Sequence, residues 1–287
     1  MCSDWIAESR ALNCSVWLVK FWMPLLLMGS MAACGSGDGL ERFGGPTMGS
    51  TYSVKYIRGP SGPDVAHVQP EVEAILAEVD QQMSTYRSDS DIERFNGLPA
   101  NSCQTMPAGV LALVRVGEQL SIDSDGSYDL TVEPLLDLWG FGPQARVEQV
   151  PTPEQLAVVR QRVGYGHLHI DGDQLCKDAP VEVDFNSIAA GYAVDRISAR
   201  MQALGIGSFL VEATGELKAV GKKADGSPWR VALEAPRDDE RVVEKTIELD
   251  GYGVSTSGDY RNYFEQDGHR YRSEERRVGK ECMESVD

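Results

Sequence analysis

The chain has 287 residues and a formal net charge of −17, with 42% hydrophobic and 25% charged residues. This composition is typical of a globular protein, and it excludes a largely disordered chain and a membrane protein with several spans. The acidic excess repels nucleic-acid phosphates, so the sequence also argues against nucleic-acid binding.

The N-terminal segment indicates an export signal. Residues 16–31 are almost entirely apolar, and two alanines precede Cys34. This order is typical of a lipoprotein signal peptide, in which residues 1–33 are removed and the new N-terminal cysteine is acylated. We therefore predict a protein that is lipid-anchored to the cell membrane on its periplasmic side, with residues 34–46 as a linker. A simple N-terminal anchor helix is the alternative, and inner- versus outer-membrane residence is open.

The first half of the folded part predicts one strand and three helices. A strand is expected over residues 51–57, followed by helices over residues 70–83 and 107–121, each with apolar residues along one face. A third helix begins near Thr152, a residue type that caps helices, with Pro153 at the first helical position.

The second half predicts mainly strands. A hairpin is expected over residues 168–177, then a strand over 181–185 that runs into a helix over 187–204. Further strands are predicted at residues 208–220, 229–235, 245–250, 252–255 and 260–264. Strands in runs with a few interposed helices predict an α+β fold with mostly antiparallel sheets and packed helices. The phosphate-binding motifs of the common nucleotide folds do not occur.

Two residue pairs leave alternatives open. In an oxidising compartment, Cys103 and Cys176 either form a disulfide or remain two separate thiols. His167 and His169 point to one strand face, but the sequence offers no third ligand. A surface position is therefore favoured over a metal site.

The predicted strand-to-helix junction at residues 183–197 is the most informative stretch. Asp184 ends the strand, and Asn186 or Ser187 can cap the helix. Small residues at 189–191 leave the first helical turn nearly bare of side chains, and its free N–H groups and positive dipole suit a phosphate. A carboxylate and a hydroxyl beside it suit Mg²⁺. An ordinary capped helix that packs its small residues on the sheet is the alternative.

Six segments of the chain, in their order, resemble one family. They are TMGSTYSVKY (47–56), MSTYRSDSDIERFN (83–96), YDLTVEPLLDLWGFGP (128–143), VDFNSIAAGYAVDRI (183–197), FLVEATGELKAVG (209–221) and VSTSGDYRNYFEQDGHRY (254–271). The sequence is similar to the ApbE-type FAD:protein FMN transferases. The resemblance implies the fold of that family and a transferase domain over residues 47–271.

The resemblance implies an enzyme that cleaves FAD at its pyrophosphate, releases AMP and attaches FMN through a phosphoester to a threonine hydroxyl of a partner protein, using Mg²⁺. Many members are exported lipoproteins, which agrees with the separate assignment of Cys34. The implied acceptors are flavoprotein subunits of membrane redox complexes. Two other functions stay open: hydrolysis of FAD to FMN and AMP, and binding of FAD by a lipoprotein without turnover.

The family resemblance also implies where the two ends of FAD bind. Met48 matches the methionine of the flavin site, and Tyr86 matches the tyrosine of the Ser-Thr-Tyr segment. Ser127, Tyr128 and Asp129 match a triplet whose turn receives the adenosine part.

The middle of the FAD site is implied by the junction described above. Asp184 and Ala190 match FAD-contacting positions, and Ser187 falls where the family places a metal ligand. Thr214 replaces the first glycine of a Gly-Gly pair that is common in relatives, which affects the expected backbone shape there.

The sequence departs from the family after Tyr271. The family continues with Ser-His, an apolar pair, Asp-Pro and a segment with Asp and Thr that completes the Mg²⁺ site, whereas residues 272–287 differ throughout. We expect residues 272–287 to be a non-native tail, with a divergent C-terminus as the alternative. The domain is then incomplete and no catalytic residue is assignable. We therefore expect poor Mg²⁺ binding and little transferase activity from the chain as written.

Overall fold

The computed structural model describes residues 39–143, 149–235, 243–256 and 263–272. The predicted signal peptide, Cys34 and residues 273–287 lie outside these ranges. Within them, no helix has the length and apolar character needed to cross a membrane. The helices are α1 (Val65–Met83), α2 (Asp91–Asn96), α3 (Ala108–Asp123), α4 (Glu133–Leu138), α5 (Pro153–Val159) and α6 (Ala189–Ala203). The strands are β1 (Leu40–Thr47), β2 (Ser50–Ile57), β3 (Ser102–Thr105), β4 (Leu168–Asp171), β5 (Gln174–Lys177), β6 (Phe209–Ala213), β7 (Glu216–Val220), β8 (Trp229–Glu234), β9 (Val243–Leu249), β10 (Gly253–Val254), β11 (Tyr263–Gln266) and β12 (His269–Arg272).

The main sheet has the strand order β1-β2-β6-β7-β10, and each neighbouring pair is antiparallel. A second sheet has the order β3-β5-β4, and β8 with β9 and β11 with β12 form two hairpins. These pairs are antiparallel as well. The predicted α+β fold with antiparallel sheets and packed helices is therefore confirmed.

The structure differs from the sequence-based prediction in the strands at residues 40–47 and 208–220. Residues 34–46 were expected to form a linker, but Leu40–Thr47 is β1, which pairs with β2 along its whole length. Glycines and a proline interrupt the strand pattern of β1, so only the pairing reveals it. The single strand predicted over residues 208–220 is a hairpin, because Thr214 and Gly215 turn the chain with φ of +53° and +101°.

The predicted helices are present, but α1 begins earlier than expected. The sequence predicts that this helix begins at Pro70, whereas it begins at Val65 and contains Pro70. The side chain of Asp64 caps this earlier start by accepting a hydrogen bond from the N–H of His67. For α5 the prediction is confirmed, since Thr152 is the N-cap and Pro153 the first residue.

Helices α1 and α6 pack on the main sheet and run antiparallel to each other. Buried residues of both helices join those of β2 and β6 in one core. Two ion pairs link the helices, Glu71 with Arg200 at 2.8 Å and Glu78 with Arg196 at 2.7 Å. This arrangement brings the end of α1 beside the beginning of α6.

The small sheet resolves the cysteine alternatives. Cys103 on β3 lies directly opposite Cys176 on β5, and the two form a disulfide. The bond joins chain positions 73 residues apart. His167 and His169 both lie against Asp178, with ring nitrogen to carboxylate oxygen distances of 2.7 and 3.1 Å, and all three side chains are about half exposed.

The strand predicted over residues 181–185 is wrong. This segment belongs to no sheet, although Val181, Val183 and Phe185 are fully buried. Its alternating apolar residues point into the core as in a strand, but its backbone partners come from a side chain and a loop. The following helix begins at Ala189, two residues later than predicted.

Candidate functional site

A cleft of about 540 Å³ lies where the end of α1, the β1–β2 turn and the start of α6 meet. It is lined by Met48, Gly49, Val79, Asp80, Met83, Ser84, Tyr86, Arg87, Asn186 and Ala189. A single cleft is therefore formed by three of the six segments that carry the family resemblance, those at residues 47–56, 83–96 and 183–197.

The predicted flavin residues both line this cleft. Met48 sits at the tip of the β1–β2 hairpin, where it and Gly49 have φ of +42° and +72°. Its side chain is partly buried against the main core. Tyr86 is 68% exposed. Together they offer a thioether and an aromatic face to an entering ring.

Arg87 holds the loop that presents Tyr86. Its guanidinium donates to Asp80 at 3.1 Å, to Gln81 at 2.7 Å and to Asp89 at 3.0 Å. The hydrogen bonds to the two aspartates raise the pKa of Arg87, and the bond to Asp89 contributes most. No role is predicted for this arginine from the sequence. Its position between two aspartates, at Asp80 and Asp89, was the only available signal.

Asp184 lies behind the cleft and fixes the position of Asn186, which lines it. Its carboxylate accepts hydrogen bonds from the backbone N–H of Asn186 at 2.5 Å and from the side-chain Nδ2 of Asn186 at 2.9 Å. Asp184 is 4% exposed. Asn186 in turn contacts Thr85 at 3.4 Å, so this carboxylate is joined to the segment that carries Tyr86.

Ser187 joins the two halves of the predicted FAD site. Its Oγ lies 3.0 Å from the hydroxyl of Tyr128, and Ser187 is exposed. Burial raises the pKa of Tyr128, and the charge of nearby Asp184 adds to this effect. The hydroxyl of Tyr128 therefore stays protonated at neutral pH and can donate to Ser187 or to a ligand.

The start of α6 has the bare first turn that the sequence predicted. No side chain caps this helix, whose N-cap position is Ile188. Ala190 is partly exposed, and Gly191 is exposed with open space where a Cβ would stand. Neither Asn186 nor Ser187 is the N-cap, because the helix begins after them. The N–H groups of this turn remain suited to an anion.

Asp129 fixes the turn that precedes α4 and has little capacity left for a ligand. One carboxylate oxygen accepts from the N–H and hydroxyl of Thr131 at 2.8 and 2.7 Å, and the other accepts from the N–H of Tyr165 at 2.9 Å. Thr131 accepts in turn from the N–H of Gly164 at 2.7 Å. Ser127 is partly exposed beside this turn.

A second group of carboxylates lies outside the predicted metal position. The sequence alone does not indicate this group. Glu133, Asp137 and Glu182 each offer an oxygen within 4.8 Å of the others. Burial raises the pKa of Glu133 to about 9, helped by the charges of Glu93 and Asp184. Glu182 also pairs with Arg162. Asn96 donates to Glu133 at 2.9 Å, so protein groups already bind both Glu133 and Glu182.

Comparisons with known proteins agree on one family. The model of the ApbE family matches residues 48–273. The FAD:protein FMN transferase of Vibrio cholerae serotype O1 is 44% identical over 256 residues, which are 89% of this chain and 75% of that protein. The enzyme of the same name from Haemophilus influenzae is 39% identical over 253 residues, covering 85% of this chain and 73% of the relative.

Solved structures give the same result. The apo form of the flavinyl transferase ApbE from Pseudomonas stutzeri has a TM-score of 0.74 and 62% sequence identity, covering 81% of this chain and 72% of that one. The flavin transferase ApbE from Vibrio cholerae has a TM-score of 0.73 and 42% identity, covering 81% of this chain and 75% of that structure.

Proposed function

This chain belongs to the ApbE family, and from that premise we propose that it transfers FMN from FAD to a threonine hydroxyl of a protein acceptor, with release of AMP. One observation carries the proposal. The family-matched Met48 and Tyr86, from two distant segments, line one cleft together with Asn186, whose side chain is held by the family-matched Asp184.

The shape of the site suggests how FAD lies in it. The flavin enters between Met48 and Tyr86, which are the family-matched residues that line the cleft. The pyrophosphate then lies at the bare start of α6 near Ala190, where backbone N–H groups and the helix dipole favour negative charge. The adenosine part extends toward the turn at residues 127–129, which Tyr128 connects to Ser187.

The residues at this position supply part of a magnesium site. Mg²⁺ prefers oxygen ligands and often keeps substrate phosphates and waters in its shell. The exposed hydroxyl of Ser187 is the protein oxygen that would serve it, and the buried carboxylate of Asp184 adds negative charge nearby. When bound, the ion would neutralise charge on the pyrophosphate and on departing AMP. This matters for a chain with a net charge of −17 that handles an anionic substrate.

The reaction balances as a phosphoryl transfer. The acceptor hydroxyl oxygen forms a bond to the phosphorus on the FMN side, the bond from that phosphorus to the bridging oxygen breaks, and AMP leaves with this oxygen. The hydroxyl proton is released. The chain itself orients the two ends of FAD, and the N–H groups at the start of α6 stabilise the charge on the phosphates.

The cellular setting is part of the proposal. Acylation of Cys34 would hold the enzyme on the periplasmic side of the cell membrane, within reach of acceptor flavoprotein subunits of membrane redox complexes. Metabolic labelling with a tagged fatty acid tests this point. Label on the wild-type chain and none on Cys34→Ser is expected, whereas equal label on both contradicts the anchor.

In-gel flavin fluorescence tests the transfer. The chain is incubated with FAD, Mg²⁺ and an acceptor protein with an exposed threonine, and the same acceptor with that threonine changed to valine is the control. Fluorescent acceptor and an equal amount of AMP are expected only with the threonine. The yield from this chain should be small, because residues 272–287 depart from the family segment that completes the Mg²⁺ site. Free FMN and AMP without acceptor would instead indicate FAD hydrolysis. Tight FAD binding without either product, even after the family's C-terminal segment is restored, would indicate a binding protein. Both results contradict transfer.

A further inference from the structure

The side chain of Asn96 takes the place of a neighbouring strand. Asn96 is the last residue of α2, and its Oδ1 accepts a hydrogen bond from the backbone N–H of Val183 at 2.8 Å. Its Nδ2 donates to the carbonyl of the same residue at 3.0 Å. One planar amide thus satisfies both backbone groups of one residue, which is what a paired strand does in a sheet.

The segment around Val183 needs such a partner. Residues 181–185 belong to no strand, yet Val183 is fully buried. Buried backbone groups without partners are strongly destabilising. The next N–H, that of Asp184, donates to the carbonyl of Leu130 at 2.8 Å. The segment is therefore held on one side by a side chain and on the other by the turn that carries Tyr128.

We propose that Asn96 is a positioning residue for the FAD site, because it fixes the backbone immediately before Asp184, Asn186 and Ser187. Asn96 is absent from the lining of the cleft and acts only through this backbone. The inference rests on the proposed function for the identity of the ligand. The hydrogen bonds that carry it are independent of that function.

A buried lysine holds Asn96 in turn. Lys177 is 2% exposed, and its Nζ donates to the carbonyl of Asn96 at 2.9 Å and to that of Val181 at 3.0 Å. The ring of Phe95 lies 5.0 Å from the same nitrogen. Burial lowers the pKa of Lys177 to about 8. Lys177 thus ties the end of α2 to the beginning of the 181–185 segment.

Carboxylates occupy the remaining donor capacity of the Asn96 amide. Its Nδ2 lies 2.9 Å from an oxygen of Glu133 and 3.2 Å from one of Glu93. An aspartate at position 96 keeps an acceptor for the N–H of Val183 but cannot donate to its carbonyl, and it adds a negative charge beside these two acids. A glutamine is one methylene longer, so its amide cannot keep both bonds without movement of the backbone.

Flavin fluorescence quenching tests the proposal on the full chain. The dissociation constant for FAD is measured for the wild type, for Asn96→Asp and for Asn101→Asp, at a temperature where circular dichroism shows each chain fully folded. Asn101 is an exposed asparagine with φ of +59°, a conformation that aspartate also adopts, so the control carries the same charge change.

A positioning role predicts an increase of at least tenfold in the dissociation constant for Asn96→Asp and no change for Asn101→Asp. Equal affinities in folded Asn96→Asp and wild type would overturn the inference. A wild-type chain that binds no FAD would overturn the proposed function instead, so the two failures are distinguishable.

A second variant decides the matter if Asn96→Asp does not fold. Lys177→Met removes the donor to Asn96 and a buried charge while it keeps most of the side-chain volume. Weaker FAD binding by folded Lys177→Met supports the positioning role, and unchanged binding by this variant contradicts it. A purely structural role would change the melting temperature and leave the affinity of the folded chain as it was.

Discussion

The open end of the cleft and the region that supports it use their polar and aromatic residues differently. At the open end, Tyr86 is 68% exposed and Met48 sits at a hairpin tip. In the support region, Asp129, Thr131 and Asn96 accept hydrogen bonds from the backbone of other segments. Residues of the family-matched segments therefore have two possible roles. Those at the open end can contact a ligand directly, and those in the support region can affect a ligand only through the backbone that they hold in place.

The largest loss of stability is expected in the support region, from Asp129→Asn. An asparagine can accept only on one side, so one amide N–H must face either the donors of Thr131 or the N–H of Tyr165. We expect a loss of about 1–3 kcal/mol in the free energy of unfolding, with weaker FAD binding. Urea unfolding measures the first and fluorescence quenching the second.

Asp125→Asn is the control for this variant. Asp125 is exposed, and its φ of +52° suits asparagine equally well. We expect a change of less than about 0.5 kcal/mol. Equal stability of both variants would show that the turn does not depend on Asp129.

The support region should also respond to pH, because burial raises the pKa of Glu133 to about 9. Between its ordinary pKa and this value, the folded state keeps a proton that the unfolded state has lost. Stability therefore falls as pH rises through this window, by up to about 1.4 kcal/mol per pH unit from this group. Urea unfolding of the wild type and Glu133→Gln across that range should show a smaller slope for the variant. Equal slopes of unfolding free energy against pH for the two proteins would show that Glu133 does not bind this proton.

The open end should behave in the opposite way when Tyr86→Ala is made. We expect FAD binding to weaken by about 0.5–1.5 kcal/mol, which is the typical contribution of an aromatic contact. The free energy of unfolding should change by less than about 0.5 kcal/mol, since the side chain is exposed. Tyr252→Ala, at a tyrosine that is 72% exposed, is the matched control and should leave FAD binding unchanged. A large loss of stability in Tyr86→Ala would remove the distinction between the two regions.

The sequence predicts local features of the fold well and long-range partners poorly. The cap at Thr152 and the small residues that open α6 follow from neighbouring residues, so they were predictable. The bond between Asn96 and Val183 joins positions 87 residues apart, and an asparagine that replaces a strand has no sequence signal of its own. Residues 181–185 have the alternating apolar pattern of a strand and were therefore predicted as one. They differ from a strand in that an asparagine side chain, and not a neighbouring strand, binds the backbone of Val183.

The same contrast applies to the site residues. Met48 and Tyr86 were assigned through the family resemblance, and both line the cleft. The roles of Arg87 and Glu133 depend on what surrounds them in the folded chain. Arg87 binds three side chains, and the pKa of Glu133 is set by burial, and neither condition is visible before the segments assemble.

The smallest effect is expected outside both regions, at the β6–β7 turn. Thr214 adopts φ of +53°, which is costly for a β-branched residue. Thr214→Asn creates an Asn-Gly pair, which two-residue hairpin turns with positive φ at both positions prefer. We expect a gain of about 1 kcal/mol in thermal or urea unfolding and unchanged FAD affinity. A loss of stability would mean that Thr214 makes a contact that offsets the strain.

A crystal structure of this chain with FAD and Mg²⁺ tests the central claim most directly. The account predicts the flavin ring between Met48 and Tyr86, the pyrophosphate at the start of α6 beside Ala190, and a metal ion at low occupancy on the hydroxyl of Ser187. Flavin bound outside the cleft, or phosphates away from the start of α6, would contradict it.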